Sequence, residues 1–300
     1  MSPPSVIVVG SVNVDLTFRV QHIPSPGETV TGGVLERTFG GKGANQAAAA
    51  ARLGARTWLI GMTGDDEAGK ASRADLRRFG VTVDDTLGLS GSPTGTAAIL
   101  LDEKGGNAIA VASGANHDLT GSFVTDAIER LDAGPAVVVA NLEVPDEAVT
   151  AAAEISRRKG WAFILNPAPA RQMSPDVYST ATAITPNQGE LELLGSPAEL
   201  LETGVGNVIV TLGGAGADLH RRGGPVVHME GFPTEVVDTT GAGDAFNGAL
   251  AWALAVGHTI EDSVRLATGA GAIACRSLGA RASLPTAEHL LRLVGEVGTP

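Results

Sequence analysis

The chain reads as an α/β protein: a doubly wound, mostly parallel sheet flanked by helices, with a small antiparallel β-sheet lid. Three observations lead there. Val6-Ile7-Val8-Val9 is a continuous β-branched run closed by Gly10, the pattern of a strand buried on both faces. From Ala136 onward, apolar runs alternate with helical stretches, as they do when crossover helices join parallel strands. Residues 16–39 and 94–113 interrupt that order with strand pairs that no helix separates.

At 300 residues and 43% hydrophobic content the chain is large enough for one big α/β domain or two average ones. The net charge of −12 argues against a nucleic-acid surface and makes any anion binding a property of local backbone and a few basic side chains. Cys275 is the single cysteine, which excludes an internal disulfide and fits a packed thiol in a reducing cytoplasm. Met1-Ser2-Pro3-Pro4 leads straight into a strand without the basic and apolar regions of a signal peptide. No apolar run approaches the ~18 residues of a membrane span, so neither nucleic acid nor membrane is an expected partner.

The first strand delivers Ser11-Val12-Asn13-Val14-Asp15 at its carboxyl end, where open α/β sheets bind ligands. Asn13 and Asp15, two apart in extended backbone, point to one side and suit adjacent hydroxyls of a polyol; the plainer reading is an Asx turn. Leu16 to Val20 and Val30 to Phe39 flank the turn Pro24-Ser25-Pro26-Gly27, and Thr94 to Leu101 and Ala108 to Ala112 flank Glu103 to Asn107, so the two pairs form a flap. Between them, Gly40-Gly41-Lys42-Gly43-Ala44-Asn45 leads into an alanine-rich helix, Gln46 to Leu53, stopped by Gly54. Lys42 is no Walker lysine, because Gly43 follows where Ser or Thr is needed. The glycines let the backbone approach something small, and Asn45 can face the same pocket as Asn13 and Asp15.

Thr57 to Gly61 is a second parallel strand, and Gly64-Asp65-Asp66 starts a helix through Phe79. Strands at Ala136 to Ala140, Trp161 to Leu165 and Ala183 to Thr185 follow, with a helix from Asp146 to Lys159. Glu143 and Asn166 lie just beyond two of these strands. Asn187-Gln188-Gly189-Glu190 opens another helix, where Glu190 either orients a hydrated magnesium ion or simply favours the helix dipole. Asn207 to Thr211 runs into the glycine loop Leu212 to Gly216, a nucleotide edge. Ala217 to His220 continues it as a strand, which disfavours a dinucleotide fold. Ala245 to Val256, Ile260 to Arg276 and Thr286 to Val297 read as three closing helices.

Asp238-Thr239-Thr240-Gly241-Ala242-Gly243-Asp244 precedes the first of these. Two glycines two apart at a helix start let backbone N–H groups converge on an anion. An aspartate there would repel a phosphate, so Asp244 suits a catalytic base beside a phosphoryl transition state. The alternative is an acidic residue favoured by the helix dipole.

Taken in this order, the 40–45 and 238–244 segments resemble the two signatures of the PfkB family of sugar and nucleoside kinases. Gly10 to Asp15, Pro26-Gly27-Glu28-Thr29, Asn166 to Ala170 and Thr185-Pro186-Asn187 extend the resemblance over essentially the whole chain. It implies a core of residues 1–15, 40–93 and 114–300 with a lid of residues 16–39 and 94–113, paired with a second subunit's lid in a homodimer. It also implies an ATP-dependent kinase, acting first on ribose at its 5-hydroxyl, otherwise on 2-deoxyribose, fructose, 2-keto-3-deoxygluconate or a nucleoside. A non-catalytic sugar-binding protein on the same fold is the remaining alternative.

By the same resemblance Asp244 accepts the proton of the sugar hydroxyl, and the amides of Gly241, Ala242 and Gly243 hold the charge on the γ-phosphoryl group. Asn13, Asp15, Gly41, Lys42, Gly43, Asn45 and Glu143 bind the sugar. Asn187, Glu190, Thr211, Gly213, Gly216, Gly243 and Thr268 hold the nucleotide with Mg2+. Asp238, Thr240, Ala274, Ser277, Gly279 and Ser283 ring a K+ ion that shapes the anion hole from behind. The stretch between Leu194 and Val208 is shorter than in such kinases, and Thr268 stands where larger polar residues are frequent.

Overall fold

A computed structural model describes residues 3–84 and 87–295. Strand β1 (Ser5–Val9) leads directly into β2 (Asn13–Val20) and β3 (Val34–Gly40), then α1 (Lys42–Arg52), β4 (Arg56–Gly64) and α2 (Glu67–Arg78). Short strands β5 (Val81–Thr82) and β6 (Leu87–Ser90) precede the hairpin β7 (Gly95–Asp102) and β8 (Asn107–Ala112). Alternation then sets in with α3 (Gly121–Arg130), β9 (Ala136–Asn141), α4 (Asp146–Lys159), β10 (Ala162–Asn166), α5 (Pro175–Thr180) and β11 (Ala183–Ile184). Helices α6 (Gln188–Leu194) and α7 (Pro197–Glu202) lead to β12 (Val208–Thr211), β13 (Gly216–His220) and β14 (Val227–Glu230), and the chain closes with α8 (Ala242–Val256), α9 (Ile260–Ala274) and α10 (Ala287–Val294).

The large sheet runs β14-β13-β12-β11-β10-β9-β1-β4-β5, with β6 also on β4. It is parallel from β5 to β12, and β13 and β14 add an antiparallel edge. Because side chains alternate across a strand, β1 feeds both cores. Ile7 and Val9 pack with α3, α4 and α5, while Val6 and Val8 pack with α1, α8 and α9. The central position of β1 puts its carboxyl end, and everything that follows Gly10, in the middle of the molecule.

The small sheet has the order β3-β2-β7-β8. Its two hairpins are antiparallel, and a parallel β2–β7 pair joins them. Pairing starts at Asn13 opposite Gly40, so Asn13 and Asp15 are strand residues rather than the Asx turn that was the plainer expectation. The second strand is shorter than Val30 to Phe39, because Gly32 in the left-handed region breaks extended backbone ahead of Val34.

Helix α1 begins at Lys42, four residues before the expected Gln46, with Gly41 at its N-cap in a positive-φ conformation. Gly43 is required by packing: a Cβ there would lie 2.6 Å from the Gly10 carbonyl carbon and the Ser11 nitrogen. Helix α9 stops at Ala274, two residues before the expected Arg276. The short stretch after Leu194 still carries α7, opened by a capping box between Ser196 and Glu199. Helices α3, α5 and α7 and strands β5, β6 and β14 have no counterpart in the sequence reading. The expected extension of α10 to Val297 lies outside the described residues, as do Met1 and Ser2. Among the described residues no helix is long and apolar enough to cross a membrane.

Candidate active site

Helices α1 and α8 pack close enough that a Cβ on Gly248 would stand 2.6 Å from Ala49 Cβ and from the Gln46 carbonyl. That approach puts the first turn of α8 against the start of α1. Asp244, in this first turn and only 8% exposed, receives Asn45 Nδ2 on Oδ2 at 2.8 Å and Gln46 Nε2 on Oδ1 at 3.1 Å. Burial pushes its pKa up to about 6, although Lys42 and the two amide donors pull the other way. Such a carboxylate is ionised at neutral pH and basic enough to take a proton. Asp244 is a first-turn residue of α8, as the plainer sequence reading has it, and its carboxylate is also aimed inward at Asn45 and Gln46.

Asp244 borders a cavity of about 230 Å³ lined by Lys42, Asn166, Asn187, Glu190, Thr211, Gly241, Gly243 and Asn247 among others. A second cavity of about 200 Å³, lined by Gly213, Gly216, Phe232, Val236, Phe246, Thr268 and Cys275, shares Thr211, Thr239 and Gly243 with it. An apolar slot and a polar chamber therefore meet at the 239–243 loop, a layout that accommodates a flat base at one end and phosphates at the other.

The 239–243 loop is held by specific bonds. Gly241 is the α8 N-cap with φ 78°, and a Cβ on it would lie 2.7 Å from Ala280 Cα. Around Gly243 a Cβ would meet nothing within 4 Å. Asn247 Nδ2 donates to the Gly243 carbonyl at 2.8 Å and receives Thr185 Oγ1 on its own oxygen at 2.7 Å, which fixes the turn to the end of β11. The Ala242 N–H closes a turn onto the Thr239 carbonyl at 3.2 Å.

Asn13 and Glu143 line a third cavity beside Asn116, His117, Val111 of β8 and Ser113. Asn13 Oδ1 accepts from Asn116 Nδ2 at 2.7 Å. Glu143 Oε2 accepts from the Ser11 hydroxyl and from the Lys42 backbone N–H at 3.0 Å, so it also satisfies the start of α1. Asp15 lies against Gly40, where a Cβ would strike its carboxylate at 2.2 Å. Burial, seconded by Glu143, raises the Asp15 pKa to about 6 against the pull of Arg281. For Lys42, burial disfavours its charge, but Asp244, Glu143 and Glu190 outweigh that and hold it above the ordinary lysine value.

A pfkB family carbohydrate kinase model matches residues 3–287. The chain belongs to the PfkB family. It is 38% identical over 293 residues to a ribokinase of Bacillus subtilis, covering 97% of this chain and 99% of that one. It is 35% identical to a ribokinase of Schizosaccharomyces pombe, covering 94% and 95%. Among solved structures, Arabidopsis thaliana ribokinase complexed with ribose and ATP superposes with a TM-score of 0.87 at 29% identity, covering 99% of this chain and all of that one. This PfkB chain is thus a carbohydrate kinase by family.

Other candidate residues of this PfkB kinase have mixed surroundings. Asn187 and Glu190 form a reciprocal capping box at 2.8 and 2.9 Å, yet both still line the polar cavity; burial raises the Glu190 pKa, tempered by the Asn187 N–H and Lys42. Thr268 bonds back to the Val264 carbonyl within α9. Gly216 is a glycine for the sheet's sake, since a Cβ would strike the Met229 carbonyl of β14. Asp238 accepts from Thr240 N–H, Thr240 hydroxyl and Gly279 N–H, and these bonds hold its carboxyl below the usual range in spite of partial burial. Ser283 Oγ donates to the Ala274 carbonyl at 3.0 Å, which joins the two halves of the candidate cation loop.

Sequence reasoning missed Gln46, Asn116, Asn247 and Arg281. Gln46 sits next to a motif residue and reads as ordinary helix. Arg281, a lone cation in the small-residue run Gly279-Ala280-Arg281-Ala282-Ser283, was the signal available for the last.

Proposed function

We propose that this chain transfers the γ-phosphoryl group of ATP to the 5-hydroxyl of D-ribose. The observation that carries the reading is the buried Asp244 carboxylate, held by Asn45 and Gln46, at the junction of the polar cavity and the glycine loop. The names and bound ligands of the ribokinase relatives supply the sugar and the donor.

Asp244 takes the proton of the attacking hydroxyl. The Gly241, Ala242 and Gly243 amides face the transferring group, with Ala242 exchanging the Thr239 carbonyl for a phosphoryl oxygen, and this charge stabilisation supplies most of what phosphoryl transfer needs. Lys42 adds a cation on the sugar side of the same chamber. Asn13, Asp15, Gly41, Gly43, Asn45 and Glu143 bind the sugar, whose hydroxyls suit carboxylates and amides. The apolar slot at Gly213, Gly216 and Thr268 takes the adenine, and Thr211 and Asn187 stand nearer the phosphates.

Among the described residues no group of three or more His, Cys, Asp or Glu side chains could cage a metal. Magnesium would be held mainly by nucleotide phosphates and water, with Glu190 of the cavity wall contributing. The oxygen-only set of Asp238, Thr240, Ala274, Ser277, Gly279 and Ser283 fits a weakly hydrated monovalent cation such as K+, which would offset carbonyl repulsion behind the glycine loop. The lid exposes Phe18, Val34, Leu35, Ile109 and Val111, an apolar face that a second lid would cover in a homodimer closing over the sugar. A reducing cytoplasm suits the single buried thiol.

The test is ADP release with ATP and magnesium across ribose, 2-deoxyribose, fructose, 2-keto-3-deoxygluconate and adenosine, each in potassium or in sodium. Ribose turned over fastest, and faster in potassium, is the expected result. Preference for another sugar would refute the ribose assignment, and ribose binding without turnover would favour a binding protein.

A further inference from the structure

Arg281 lies in the loop between α9 and α10 and is only 8% exposed. Its guanidinium donates in three directions: Nε to Asn45 Oδ1 at 2.8 Å, Nη1 to Asp75 Oδ2 of α2 at 2.6 Å, and Nη2 to the Gly40 carbonyl at 3.0 Å. A guanidinium only donates and an ionised carboxylate only accepts. Asn45, bound by both, must turn its oxygen to Arg281 and its NH2 to Asp244. The amide's orientation is therefore dictated from 236 positions away in sequence.

The third contact has a different consequence. Gly40 is the last residue of lid strand β3, pairs with Asn13, and touches Asp15. Its carbonyl is thereby tied to the core through Arg281 and Asp75. We propose that Arg281 is a positioning residue that fixes the Asn45 amide toward the Asp244 base and anchors the lid strand's end at Gly40 to helix α2. It lines neither the polar nor the apolar cavity described above and acts through its partners.

Asp244 is faced by Lys42 and Asn45 from α1, by Glu143 beyond β9, and by Gln46; Arg281 itself is flanked by Asp75, Asp15 and Asp244. Losing Arg281 removes a cation from this group and frees the amide to rotate. The kinetic arm of the test rests on the ribose-kinase reading, while an exchange arm does not.

Arg281→Met is to be compared with Arg281→Lys, Asn45→Ala and the double variant Arg281→Met/Asn45→Ala. Arg281→Met should lower kcat at least about tenfold with a smaller change in sugar KM, because orientation rather than ground-state binding is lost. The double variant should be hardly slower than Asn45→Ala alone, since the two residues act as one unit. Independent multiplication of the two losses, or unchanged kcat in a folded Arg281→Met protein, would overturn the proposal. Should the unpaired Asp75 prevent folding, Arg281→Met/Asp75→Leu replaces the ion pair with apolar groups and restores a testable protein. Hydrogen exchange over residues 38–46 should be at least about tenfold faster in either Met variant. Unchanged exchange there refutes the anchoring, whatever the sugar; absence of wild-type turnover on every sugar counts against the proposed function instead.

Discussion

Asn45 Nδ2 stands 2.8 Å from Asp244 Oδ2, joining two residues 199 positions apart, each from a different glycine-rich segment. The bond depends on both segments: Gly43 lets α1 approach Gly10 and Ser11 beyond β1, and Gly248 lets α8 close on α1. The Asp244 carboxylate and the Asn45 amide then meet.

The proposed role of Asp244 as base carries a pH dependence through its burial. With its pKa raised to about 6, Asp244 is ionised above that pH and loses its capacity to accept a proton below it. Activity as kcat/KM should be level near neutrality and fall as pH drops through about 6, more steeply because Asp15 titrates in the same range. A profile flat to about pH 4.5 would contradict a base of this character.

Replacing Lys42 by Met should move that acid limb to higher pH. Lys42 is the foremost influence lowering the Asp244 pKa, so without it the carboxyl holds its proton longer. The comparison is a pair of pH profiles, and a limb that stays in place or moves down would show that Lys42 does not face the base.

Asp244 also costs the fold stability. A carboxyl whose pKa is raised on folding favours the native state fully only below its unfolded value, and that contribution is lost as pH rises through about 6. Asp244→Asn should therefore gain melting temperature relative to wild type near pH 8, and less near about pH 4.5. A difference independent of pH would mean that the native carboxyl is not destabilised by burial.

Two glycines of one loop should respond differently to a methyl group. Gly241→Ala places Cβ 2.7 Å from the Ala280 backbone at a positive φ, and should destabilise the protein. Gly243→Ala meets nothing within 4 Å, so it should fold normally while raising the ATP KM and lowering kcat, because the methyl enters the junction of the two cavities. Melting curves and steady-state kinetics separate the two outcomes.

The parallel core and the two hairpins were legible because their signals are local: β-branched runs, glycine stops, turns. The Asp244 loop was legible because a helix start organises anions wherever it occurs. What the sequence hid depends on tertiary contact. Gln46 reaches Asp244, Asn116 reaches Val12 and Asn13, and Arg281 reaches Gly40, each across a separation of 100 positions or more. The early start of α1 was hidden too, since two glycines at its head read as loop until the close approach to Gly10 shows why no side chain fits there.

The central claim, that Asp244 is the base, is tested most directly by ribose-dependent ADP release from Asp244→Asn, with ribose binding measured on the same preparation. The account predicts bound ribose with turnover lower by about 10²–10⁴-fold. Turnover within about threefold of wild type in a folded, ribose-binding variant would contradict it.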